Sequence, residues 1–157
     1  MKKARAGPPA DAGSPAAASD VEAIVAGRHG NPFGVLGVQE AGPGLVARCF
    51  IPHAEFVTAF TLGGKAVGEL ARRDDAGFFE GALSIRKRQP IKYRVRNAAG
   101  EWWQTDAYSF GPVLGPMDDY YIAEGSHLRL FDKLGAHLID HEGASGVHFA
   151  VWAPNAL

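Results

Sequence analysis

Along residues 35–105 the apolar positions come in short runs, VLGV, LVARCFI, FVTAFTL, FFEGALSI and IKYRVRN, each closed by turn-forming residues. Runs of this length, rich in β-branched and aromatic residues, predict antiparallel strands packed as a sandwich. Within GLVARCFIP, Leu45, Ala47, Cys49 and Ile51 fall on one side of an extended chain, and Val46, Arg48 and Phe50 on the other. The first set makes the better core face, which sends Arg48 to solvent. Turns are expected at residues 42–44, 63–64 and 74–77, where Gly, Pro and Asp supply the backbone freedom and side-chain bonding that turns need. Residues 97–100 predict a hairpin that leads into Trp102 and Trp103.

Outside this region the rhythm changes twice. Residues 1–18 are Ala, Pro, Gly and Ser with a few charges, too little apolar surface to offset the entropy of ordering, and are expected to form a disordered tail. A short helix should follow at SDVEAIVAGRHG. There Ser19 and Glu22 have capping-box spacing, Val21, Ile24 and Val25 share a face, and Gly27 can end the helix. After Phe110 the β rhythm lapses, and GPMDDYYIAEGSHLRLFDKLGAHLID reads as two short helical pieces broken at Gly125 and Gly135. Alternation returns in VHFAVWAP, which predicts a strand from about Gly146. The expected architecture is all-β: an antiparallel immunoglobulin-like β-sandwich with a short N-terminal helix and a helical connector. The expected division is a tail at 1–18, a sandwich at 19–110, a connector at 111–145 and the first strand of a second sandwich at 146–157.

Composition narrows the function classes. With 20 Gly and 10 Pro the chain favours short strands over long helices. A formal net charge of −1 leaves no surplus to draw nucleic acid or an anionic membrane onto the surface as a whole, so neither is expected as a partner. Neutral partners, sugars among them, stay open. Cys49 is the sole cysteine, which excludes an intramolecular disulfide and a thiolate zinc cluster built from this chain alone. Its neighbours suggest a small buried apolar residue. No run approaches the roughly 18 apolar residues of a membrane span, and the basic start has no apolar stretch behind it, so a cytoplasmic address is expected.

Three stretches, in order, resemble bacterial glycogen (1,4-α-glucan) branching enzymes. Residues 29–37, HGNPFGVLG, are similar to the family's pattern of His, two residues, Pro-Phe, one residue and Val-Leu-Gly. Phe110, Asp118, Glu124-Gly125, His127 and Leu134-Gly135-Ala136-His137 stand as the family's E-G-T-H and L-G-A-H elements do, with Ser126 replacing Thr. Residues 146–156, GVHFAVWAPNA, look like the opening strand of its carbohydrate-binding sandwich. The chain departs from the family pattern at Ala107, where Pro is usual, and at Gln39, where His is usual.

The resemblance implies two amino-terminal β-sandwiches ahead of a (β/α)8 barrel and a carboxy-terminal β-domain. It also implies an enzyme that cleaves an α-1,4 glucan and transfers the piece to a 6-hydroxyl, retaining configuration through a glycosyl-enzyme intermediate. That chemistry needs two carboxyl groups roughly 5 Å apart around the scissile bond. In the family they sit on barrel strands, and no barrel motif occurs here, so no residue of this chain is given a catalytic role and the chain alone is expected to be inactive. The implied partners are α-glucan, such as glycogen or amylose-like chains, and the missing barrel of the same enzyme; no cofactor is implied. The competing readings are a free-standing carbohydrate-binding or scaffold module, and the N-terminal part of a related debranching or trehalose-forming enzyme.

Trp102 and Trp103 are the candidate substrate-binding residues. An indole face can stack on the apolar face of glucose while Glu101, Gln104 and Asp106 bond hydroxyls. The bland alternative is that one ring closes the core and the other covers a hairpin, since consecutive strand residues face opposite sides. Asp118-Asp119 and Asp74-Asp75 suit helix-start and turn roles better than catalysis, because adjacent side chains diverge. His127, His137, His141 and His148 with Asp132 and Asp140 lack compact ligand spacing, so no metal site is assigned. Arg86-Lys87-Arg88 reads as a solvated loop, and Trp152 as core of the second sandwich.

Overall fold

The computed structural model describes residues 15–154. The chain divides into two compact units, Met1–Ser109 and Phe110–Leu157. The first is an all-antiparallel sandwich of seven strands: β1 (Gly37–Ala41), β2 (Gly44–Phe50), β3 (Phe56–Thr61), β4 (Ala66–Asp74), β5 (Phe78–Leu83), β6 (Ile91–Asn97) and β7 (Gly100–Thr105). They are ordered β1-β2-β5-β4-β3-β6-β7. β4 belongs to both layers, because residues 66–70 pair with β3 and residues 71–74 with β5.

The switch between layers depends on glycine. A Cβ on Gly68 would lie 2.5 Å from the Ala82 carbonyl oxygen, and one on Gly81 would lie 2.4 Å from that of Glu69, so β4 and β5 approach this closely only without side chains there. Both register shifts of β4 lie beside this crossing. Val67 is the extra residue between the Ala59 and Phe60 pairings, and Arg73 the extra residue opposite Phe78 and Phe79. Such bulges bend and twist a strand, as a strand that changes layers must.

Between the layers lies a core built from the predicted face of β2 (Leu45, Ala47, Cys49) and Ile51, joined by Phe79, Ile91, Tyr93 and Val95. At its edge sits Asp106, only 3% exposed. Its carboxylate accepts hydrogen bonds from the Tyr93 hydroxyl (3.0 Å) and the Tyr108 amide (3.1 Å). Desolvation dominates, so its pKa is pushed up to about 6 despite those bonds and the nearby Arg88 charge. Burial likewise raises the Cys49 thiol, with the Asp106 charge adding to it, which makes Cys49 the inert core residue its neighbours suggest.

The outer side of β2 and β5 is covered. Helix α1 (Ala18–Val25) lays Val21 and Ile24 on it with Ala16, Val35, Leu36 and Phe78, forming a second small core. This corrects two expectations. Arg48 does not reach solvent: beneath the cover, its Nε bonds Glu80 Oε1 at 2.7 Å, with the side chains 12% and 9% exposed. Order also begins before Ser19, because the Ala16 amide donates to Glu80 Oε1 at 3.0 Å; residues 1–14 of the expected tail lie outside the described residues. Helix α1 therefore starts from Ala17 with no side-chain cap, and the capping box of Ser19 and Glu22 does not form. Gly27, with φ +66°, ends the helix as expected.

The second unit contains α2 (Pro116–Glu124), a short 3-10 turn (Leu130–Asp132) and a hairpin of β8 (Gly135–His141) and β9 (Ala144–Ala150). Gly125 ends α2 in the left-handed region, φ +70°, as the break there predicts. The second expected helical piece, between Gly125 and Gly135, is reduced to the 3-10 turn. The residues from Gly135 onward form β8, joined to β9 through Glu142 and Gly143, whose φ values of 48° and 85° are those of a tight two-residue hairpin turn. The strand predicted from Gly146 thus begins at Ala144 and has a partner.

Candidate functional site: an aromatic and cationic sheet face

Register fixes which side chains share the outer face of β3, β6 and β7. Phe56 pairs with Arg96 and Arg96 with Glu101; Thr58 with Arg94 and Arg94 with Trp103; Phe60 with Lys92 and Lys92 with Thr105. Each row thus carries an aromatic ring beside or across from a cation. The cations lie over the rings, with the Arg96 guanidinium 4.3 Å from the Phe56 centroid, that of Arg94 5.2 Å from Phe60 and Lys92 Nζ 5.0 Å from Trp103. Trp103 meets Phe60 edge to face, centroids 4.9 Å apart at 71°. The carboxylates on this face are Glu101, 3.8 Å from Arg94 Nε, and Glu69, across from Thr58. The face is open, with Phe56 55% and Trp103 51% exposed.

Trp102 and Trp103 do fall on opposite sides of β7, but neither closes the core. Trp102 lies opposite Val95 on the inner side and is still 36% exposed. β7 is an end strand whose residues are all exposed, and the core cluster stops at Val95 on β6. Of the polar neighbours proposed for these rings, Glu101 shares the outer face with Trp103, Gln104 faces inward opposite Tyr93, and Asp106 is buried away from both. The sequence reading missed Phe56, Phe60, Lys92, Arg94 and Arg96. Their signal was present as cations at every second position of IKYRVRN and rings four apart in FVTAF, each on the polar side of its strand.

The other candidates take structural roles. His29 Nδ1 accepts the Asn31 amide at 3.1 Å, and its Nε2 lies 3.5 Å from Asp20, tying α1 to the following 3-10 turn (Pro32–Gly34). Gly37, at φ +84°, lets β1 pass where a Cβ would lie 2.4 Å from the Tyr108 carbonyl oxygen. HGNPFGVLG is therefore a clip that fastens the helix and the sheet. Asp74 accepts the Ala76 amide at 2.8 Å, the turn role expected of it.

In the second unit Asp118 receives the Gly115 amide at 3.0 Å at the start of α2, and it also holds His127 Nε2 at 3.0 Å and Lys133 Nζ at 3.2 Å. The His127 bond is the largest of the effects that lower its pKa to about 2. His137 and His141 bond the carbonyls of Leu134 and Gly111. Among the described residues no three His, Cys, Asp or Glu side chains are placed to hold a metal ion, and no helix is long and apolar enough to cross a membrane.

A family model described as "alpha-1,4-glucan branching enzyme GlgB, N-terminal domain" matches residues 17–108, more than half of the chain. The chain belongs to this branching-enzyme family. It is 77% identical over 141 residues to the 1,4-alpha-glucan branching enzyme GlgB of Mesorhizobium japonicum, covering 90% of this chain. It is 68% identical over 139 residues to that of Rhizobium meliloti and 46% identical over 140 to that of Roseobacter denitrificans, each covering 88% of the chain. In each case the match takes in 19% of the relative, so the chain spans about a fifth of the length of these branching enzymes. The family match covers both faces of the sandwich and the clip, so the aromatic and cationic face lies within the branching-enzyme N-terminal domain.

Proposed function

We propose that this chain is the amino-terminal part of a cytoplasmic 1,4-α-glucan branching enzyme, that its sandwich positions glucan, and that cleavage and transfer belong to the parts of the relatives outside the matched fifth. The observation that carries this reading is the open face around Trp103, an indole half-exposed on the sheet with the Lys92 ammonium over its ring and Arg94 paired across from it. Such a ring stacks on the apolar face of a glucose unit, and fixed donors beside it bond hydroxyls. Trp103, and not Trp102, is the contacting ring. Sequence identity to branching enzymes favours this over a free-standing module or a debranching or trehalose-forming relative.

The strand order one-two-five-four in one layer and three-six-seven in the other is that of immunoglobulin-type sandwiches, which supports assigning the first unit to that class. In the second unit Leu138, Val147 and Phe149 share one face of the hairpin and are 88%, 48% and 74% exposed. An apolar strand face this open supports reading β8 and β9 as the opening of a second sandwich, whose covering residues are those that follow in the longer relatives.

Affinity electrophoresis through glycogen tests the main reading. Retardation of the chain should persist in Trp102→Ala and vanish in Trp103→Ala with circular dichroism unchanged. A folded wild-type chain that migrates as it does without glycogen would overturn the glucan-positioning role.

A further inference from the structure

We propose that the outer face of β3, β6 and β7 selects α-glucan bearing phosphate monoester groups over neutral glucan; this rests on the glucan reading above. A neutral sugar needs a ring to stack on and a few polar groups. This face offers more than that, with Lys92, Arg94 and Arg96 side by side on β6 and, among the described residues, Glu101 and Glu69 as the carboxylates on it. The excess is local, because the chain as a whole has a net charge of −1.

Geometry suits a phosphate on a sugar. Alternate residues of one strand sit roughly 7 Å apart on the same face, so two neighbouring cationic heads can converge on one phosphate. Phe60 and Phe56 hold the Arg94 and Arg96 guanidinium groups in place, and each guanidinium has five N–H donors, of which the Nε of Arg94 lies 3.8 Å from Glu101. A ring contact takes up none of these donors, and a planar guanidinium fork matches two phosphate oxygens. Stacking supplies the other half of the recognition. The Lys92 ammonium lies over the Trp103 ring and Arg94 is paired across from it, so a glucose unit on the exposed part of the indole would bring its phosphate to both cations. An acidic protein surface would satisfy the cations but leave Phe56 and Trp103, each half-exposed, without flat apolar partners.

The test is affinity electrophoresis of the full chain through amylopectin carrying glucose 6-phosphate esters, and through the same polymer after phosphatase treatment. Wild type should bind the phosphorylated polymer about tenfold more tightly, the effect of one charge-assisted bond. In 0.5 M NaCl this preference should collapse. Arg94→Gln, with an unchanged thermal melt, should lower binding to the level of the dephosphorylated polymer, while Trp103→Ala should remove binding to both. Equal retardation on both polymers, lost in Trp103→Ala, would overturn the phosphate preference and leave the glucan reading standing. No retardation of the folded chain on either would end both. Competition by poly-glutamate as effective as that by the phosphorylated polymer would show a general polyanion surface and also overturn the proposal.

Discussion

The sandwich has two outer faces, and the chain treats them in opposite ways. On β2 and β5 a helix and its leading residues close over Glu80, which gathers Arg48 and the Ala16 amide under apolar side chains, while the exposed Arg73 reaches it at 3.7 Å. On β3 and β6, and on β7 beside them, none of the described residues of the unit covers the cations, and each lies across an aromatic ring in view of solvent. Charges on the first face are committed to holding the fold. Those on the second are held in place yet still have donors to offer. A buried ion pair that loses a partner is costly, whereas exposed ring and ion contacts contribute little to stability.

That contrast can be broken from the covered side first. Glu80→Ala should destabilise the protein by about 3 kcal/mol, because the buried carboxylate that Arg48, Arg73 and the Ala16 amide share would be lost at once; the midpoint of urea unfolding measures it. An intermediate effect is expected at Asp106, which belongs to neither outer face. Its folded-state pKa of about 6 lies above the ordinary carboxylate value. Above pH 6 the ionised group opposes folding; as pH falls towards 4 the folded protein takes up the proton first, and stability rises by roughly 2–3 kcal/mol. Asp106→Asn should flatten that rise in urea midpoints compared with wild type between pH 7.5 and 4.5. The smallest effect belongs to the open face. Trp103→Ala forfeits one edge contact with Phe60 and one with Lys92, and should cost no more than about 1 kcal/mol in the same assay. A loss as large as that of Glu80→Ala would make the open face a structural one and erase the contrast.

Much of this was legible wherever strict alternation meets a one-sided core. The inward face of β2, the hairpin into the tryptophans and the glycine ends of both helices follow from such signals. β4 was not found, because its inward residues Val67 and Leu70 are three apart; the bulge at Val67 breaks the period of two that reveals a strand. Arg48 was misplaced because alternation separates two sides of a strand without telling that a helix will cover the second. β8 was hidden for another reason: none of its residues is fully buried and its apolar Leu138 and Ile139 are adjacent, so no alternation shows, and only the Glu142-Gly143 turn marked it. Of the site, the tryptophans were visible in the sequence. The face around Trp103 was not, since it is assembled by register from three strands that lie up to about fifty residues apart.

A sandwich made of two separate sheets has four rims along which another chain could add a strand. Here β4 carries the hydrogen-bonded ladder from one layer into the other, so the seven strands form a single folded ribbon whose end strands are β1 and β7. One strand shared between layers halves the number of rims open to unwanted pairing, and one of the two that remain borders the tryptophans.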